Sequence, residues 1–238
     1  MKLDILAFGA HPDDVELGCG ATIAKEIFLG KKVGIIDLTR GELGTRGSAD
    51  LRDKEAANAA TILGVSVREN LSFADGFFVN DKKHQLEIIK MIRKYKPEIV
   101  LCNAVDDRHI DHPKGSDLVS DACFLSGLIK VETQLDGRSQ EKWRPKQVYH
   151  YIQWKNSEPH FAVDVTGFMN AKIESVKAYS SQFFDPNSKE PETPITSKNF
   201  VESISYRAND LGRLIGVESA EGFTTERYVA VENLDKLI

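Results

Sequence analysis

A chain of 238 residues with 41% hydrophobic and 28% charged residues has the composition of a globular protein with material for one full core. Its 31 Lys and Arg against 36 Asp and Glu leave a formal charge of −5, so no general basic excess calls for a nucleic-acid partner. No run approaches the roughly 18 apolar residues of a membrane span, and the apolar start breaks at His11 and Pro12, too early for a signal peptide. A cytoplasmic protein without stable membrane insertion is expected. Cys19, Cys102 and Cys123 form no C-x-x-C pair and are expected to be small buried hydrophobes in a reducing cytosol.

In chain order, the runs LDILAFGA (residues 3–10), KVGIIDLT (32–39), SVRENLSF (66–73) and EIVLCNAV (98–105) predict four strands. Three are rich in Ile, Leu and Val, as strands covered on both faces should be. Helical patterns alternate with them: ATIAKEIFLG (21–30) stops at Gly30, ADLRDKEAANAATILG (49–64) at Gly64, and HQLEIIKMIRKYKP (84–97) before Pro97. A fourth helix follows over 114–130. QVYHYIQW (147–154) and HFAVDVTG (160–167) then predict two strands joined by a turn at NSEP. A helix over 168–183, a loop with three prolines (185–197), a helix over 200–214 and a last strand in ERYVAV (226–231) complete the chain. Repeated βαβ units imply an α/β fold: a Rossmann-like, doubly wound, mostly parallel sheet of order 3-2-1-4 plus C-terminal strands, with helices on both faces, in a single domain over residues 1–238.

Two polar clusters end strands that this order makes neighbours. GAHPDDVELGCG follows the first strand and DDRHIDHPKG the fourth, so His11, Asp13, Asp14, His109, Asp111 and His112 converge where open α/β sheets bind ligands. Adjacent carboxylates such as Asp13 and Asp14 repel each other unless a cation or a catalytic task requires both. Imidazole and carboxylate donors with an open position suit a catalytic zinc, which renders water nucleophilic near neutral pH. Each motif taken alone also fits an ordinary turn with capping aspartates.

The pair AHPDDVE and RHIDH resembles the LmbE-like, or PIG-L, family of zinc-dependent N-acetylglucosaminyl deacetylases. LTRGELGTRG, SSQF and ESAEGF look like its small bacterial branch, which includes the bacillithiol-biosynthesis deacetylases. The resemblance implies one Zn2+ per chain held by His11, Asp14 and His112, with Asp13 as the base that takes a proton from the activated water. His109 would stabilise the oxyanion or protonate the leaving amine, and Asp111 would orient His109. It also implies a small-molecule N-acetylglucosaminide as substrate, with N-acetylglucosaminyl malate as first choice, and a homo-oligomer.

Three rivals remain. A nucleotide-binding Rossmann domain lacks its glycine fingerprint here, since the first turn reads GAHPDD. A metal phosphohydrolase needs ligands for two ions. A non-catalytic zinc- or sugar-binding protein would have no use for Asp13, His109 and Asp111. In RGELGTRGSADLR (40–52), Arg52 in the first turn of the second helix is a candidate substrate-binding residue for a carboxylate beyond the sugar. The competing expectation is a surface pair with Asp53 or Glu55.

Overall fold

In the computed structural model, residues 1–186 and 188–236 are described. Strands β1 (Ile5–Gly9), β2 (Val33–Thr39), β3 (Val67–Phe73) and β4 (Ile99–Cys102) alternate with helices α1 (Asp14–Phe28), α2 (Ala49–Leu63), α3 (Lys82–Tyr95) and α4 (Asp111–Ser126). A small hairpin follows, β5 (Gln134–Leu135) with β6 (Arg138–Ser139), then β7 (Gln147–Tyr151), β8 (Phe161–Asp164), α5 (Met169–Lys177), α6 (Lys198–Ile215) and β9 (Ala220–Thr225). The main sheet has the order β3-β2-β1-β4-β7-β9-β8. Its first five strands pair in parallel, and β9 runs antiparallel to both neighbours. The expected mostly parallel sheet of order 3-2-1-4 plus C-terminal strands is therefore what the chain adopts.

Side chains of β1 explain the double cover. Leu6 and Phe8 point into one apolar layer with α3 and α4, while Ile5 and Ala7 point into the other with Val15 and Ile23 of α1. A third cluster joins Ala56 and Ala59 of α2 to Val176, Tyr179, Phe183 and Ile204. No helix among the described residues is long and apolar enough to cross a membrane.

Five local expectations need correction. The NSEP turn does not join two neighbours, because β9 lies between β7 and β8; Phe161 stacks on Phe223 at 5.4 Å, and this pairing outweighs the local hairpin signal. ERYVAV is not a strand: AEGFTT is, and beyond it Glu226 turns to His150 and Ser120 while Tyr228 is fully exposed. The helix expected over 168–183 ends at Lys177, since Glu55 binds the Ser181 N–H and both the Ser180 and Ser181 hydroxyls, drawing the chain out of the ladder. The fourth helix starts at Asp111, with Pro113 tolerated in its first turn.

Helix α1 also begins early, at Asp14, and is kinked at Cys19 (φ −145°). The kink frees the N–H groups of Ala21 and Thr22, and the carboxylate of Glu221 on β9 accepts both, at 3.2 and 2.7 Å. Lys172 completes that buried group at 2.6 Å. One turn earlier, Gly18 lies so close to the Tyr151 ring that a Cβ there would sit 2.1 Å from it. Tyr151 can then reach the Phe8 carbonyl at 2.9 Å.

Candidate active site

The chain leaves β1 at Gly9 and needs only four residues to start α1, which brings His11, Asp13 and Asp14 to the carboxyl rim. Asp13, at the helix cap, has φ 112°, a left-handed conformation that costs an L-residue about 1–3 kcal/mol. This backbone sends the two carboxylates apart. Asp13 Oδ2 accepts from Arg52 Nη2 at 2.8 Å. Asp14 turns inward, accepting from the His11 N–H at 2.9 Å, Asn103 Nδ2 at 3.0 Å and Gln153 Nε2 at 2.7 Å.

Two imidazoles flank Asp14. His11 Nδ1 is 3.5 Å and His112 Nε2 3.2 Å from its oxygens. The other nitrogen of each ring is anchored on a carboxylate: His11 Nε2 is 3.0 Å from Asp75, and His112 Nδ1 is 2.7 Å from Asp107. His109 stacks on His112 with centroids 5.2 Å apart and meets His11 edge-on at 4.5 Å. The nitrogens of His11, His109 and His112 lie within 4.8 Å of one another, as do donor atoms of His11, Asp75 and Asp111.

These donors fit a zinc-like ion. Two imidazoles and a carboxylate face each other, all three buried, with each ring fixed by a hydrogen-bonded carboxylate as in metal centres generally. Burial opposes a charged His112, but Asp14 and Asp107 outweigh it and raise the group to about 9. Burial pushes the Asp13 carboxyl up to about 7, against Arg52 and assisted by Asp14. Burial, with the charges of His11 and His112, holds His109 below its ordinary value.

All seven residues singled out from the sequence thus gather in one region, with two changes of partner. The Asp111 carboxylate does not orient His109. It lies 3.4 Å from His11 Nε2 and accepts from the Gly76 N–H at 2.7 Å, because starting α4 at Asp111 turns its side chain inward; only its backbone N–H reaches His109 Nδ1, at 3.3 Å. Arg52 pairs with neither Asp53 nor Glu55. It is buried against Asp13 and the Pro12 carbonyl, while Asp53 is taken by Arg40.

Sequence reasoning missed Asp75, Asn103 and Gln153 and gave Asp107 no role. Asp107 stood inside DDRHIDHPKG, five residues before His112, whereas Asp75 sits in FADGF, where Asp-Gly reads as a turn. The site opens into a pocket of about 1050 Å³, walled farther out by Trp154, Phe200, Ile204 and Arg207. Two buried atoms of lining residues, Arg52 Nε and Gln153 Oε1, have no hydrogen-bond partner among the described residues.

Comparison with known proteins identifies the family. The chain is similar to the uncharacterized deacetylase YaiS of Escherichia coli, 42% identical over 114 residues, which span 45% of this chain and 61% of that protein. It is 30% identical over 189 residues to the diacetylchitobiose deacetylase of Thermococcus kodakarensis, covering 75% of this chain and 70% of that one. The conserved protein TT1542 from Thermus thermophilus superposes with a TM-score of 0.86 at 34% identity over 98% of both chains. The GlcNAc-PI de-N-acetylase profile matches residues 6–123, and the chain belongs to that family, PIG-L.

Proposed function

We propose that the chain is a zinc-dependent N-deacetylase of N-acetylglucosamine conjugates, with one ion per chain held by His11, Asp14 and His112. N-Acetylglucosaminyl malate, the conjugate of bacillithiol biosynthesis, is the first-choice substrate. The observation that carries this reading is the divergence of Asp13 from Asp14: one carboxylate faces two imidazoles and the other stays outside that set, in the same pocket. The similarity to a diacetylchitobiose deacetylase supports an N-acetylated sugar as substrate.

Zinc bound there supplies Lewis acidity to the acetyl carbonyl and the attacking water. Asp13 accepts the proton of that water while Arg52 holds its Oδ2 in place. His109 then stabilises the oxyanion, and as the C–N bond breaks the proton taken by Asp13 is returned to the departing amine, directly or through His109. Arg52 and Gln153 line the pocket where the sugar's hydroxyl and amide groups would lie. Arg52→Ala accordingly lowers kcat through Asp13 as well as raising KM.

The test compares acetate release by zinc-loaded protein from N-acetylglucosaminyl malate and from free N-acetylglucosamine. Faster release from the conjugate is expected. Equal rates would remove the malate assignment, and no release from any N-acetylglucosaminide would leave a binding protein.

A further inference from the structure

Four cations line the pocket: Arg52, Arg108, Lys172 and Arg207. Two are neutralised inside it, Arg52 by Asp13 at 2.8 Å and Lys172 by Glu221 at 2.6 Å. The other two have no ion-pair partner among the described residues. Arg207, on α6 and half-buried, donates to the Gln153 carbonyl, and burial holds its guanidinium below the usual range against a weaker opposing effect of Asp107. Arg108 is exposed and lies over the Trp154 ring at 4.6 Å.

Both belong to one wall. Gln153 and Trp154 are consecutive, so the two guanidiniums attach to neighbouring residues of one segment. Trp154 stacks on Phe200 at 5.3 Å, and its backbone N–H is held by Asp107 at 3.2 Å. Nearby acids are engaged elsewhere: Asp107 with His112, Asp106 with Lys155 and Asp210 with Arg213. The wall is also continuous with the site described above. Arg108 follows Asp107, which holds His112, and Arg207 sits on Gln153, whose amide holds Asp14.

A half-buried cation without a counter-ion is costly unless a ligand supplies the charge. In a chain of net charge −5, the half-buried Arg207 and the exposed Arg108, neither with an ion-pair partner among the described residues, on one pocket wall are a selective feature. We propose that Arg108 and Arg207 form an anion subsite, and that the substrate carries a carboxylate- or phosphate-bearing group beyond its N-acetylated sugar. This deepens the deacetylase reading and rests on it. It moves recognition of that anion outward from Arg52, whose charge Asp13 already takes. Guanidinium forks suit planar carboxylates and phosphates, so lysine should substitute poorly.

The experiment measures kcat/KM for a dicarboxylate-bearing N-acetylglucosaminide, the malate conjugate, and for its methyl glycoside, in parent, Arg108→Gln, Arg207→Gln and Arg207→Lys. The expected result is a fall of about tenfold or more in the preference for the charged substrate in each glutamine variant, with partial recovery in Arg207→Lys. Equal losses on both substrates, or an unchanged preference, would overturn the subsite. Arg108→Gln alters an exposed side chain, so it remains decisive if Arg207→Gln misfolds. Malate binding by calorimetry to zinc-loaded parent and Arg108→Gln/Arg207→Gln protein needs no turnover. If neither substrate is cleaved but malate affinity still falls in the double variant, the subsite stands and the deacetylase reading fails. Equal malate affinity overturns the subsite whatever the turnover.

Discussion

Asp107→Asn exposes how the site fixes its histidines. Asp107 accepts four N–H groups: Oδ1 from Arg108 at 2.8 Å and Lys155 at 2.9 Å, Oδ2 from Trp154 at 3.2 Å and from His112 Nδ1 at 2.7 Å. Asparagine keeps one acceptor oxygen. Placed over the two shorter backbone donors, it turns its NH2 toward His112 Nδ1, which must then accept. The His112 proton moves to Nε2, the nitrogen facing Asp14, where a metal needs a lone pair. Loss of such a partner lowers metal affinity by roughly 10–100-fold, about 1.4–2.7 kcal/mol. Zinc affinity is read by competition with a chromophoric chelator, with the thermal transition of metal-free protein as the check on folding. Zinc affinity within about threefold of the parent in a folded variant, well short of the expected loss, would refute the tautomer argument.

Asp13→Asn should retain zinc by elemental analysis while kcat falls about 10²-fold or more, since the amide keeps the shape and cannot take a proton. His112→Ala should lose the zinc itself, seen by the same analysis. Gly18→Ala drives a methyl into the Tyr151 ring and should cost about 1–3 kcal/mol in denaturant unfolding. Glu221→Gln leaves Lys172 without its buried charge partner and should destabilise by about 3–5 kcal/mol, with a parallel loss of metal affinity as the kink in α1 relaxes.

Of the first four strands, β1, β2 and β4 were legible because each is a local apolar run closed by a polar cluster, and the parallel sheet that buries both their faces needs such runs, whereas the edge strand β3, VRENLSF, is only partly buried and was legible from its place in the βαβ alternation. β9 was not legible. Ala220, Gly222 and Thr224 carry no apolar signal, and β9 fits between β7 and β8 because small residues permit close packing, with Leu211, Pro159 and Ile152 crowding Gly222. ERYVAV reads more strongly as a strand yet pairs with no strand among the described residues. The same contrast holds in the site. Residues that bear the chemistry cluster in two short motifs, whereas those that orient them, Asp75, Asn103 and Gln153, arrive singly from other loops. Nothing in a lone Asn or Gln announces a partner 89 or 139 residues away.

The position of β9 also sets the order in which the molecule can be completed. During synthesis β7 and β8 leave the ribosome well before the strand that must lie between them, so this end of the sheet waits with unpaired edges. Glu221 arrives with that strand and secures Ala21 and Thr22, which lie 200 and 199 residues earlier in the chain. The kinked turn of the helix that begins with Asp14 therefore gains this brace only once β9 is in place. A nascent or truncated chain ending before residue 220 can contain every residue of the two motifs and still lack the brace that sets their geometry, which couples competence of the site to completion of the polypeptide.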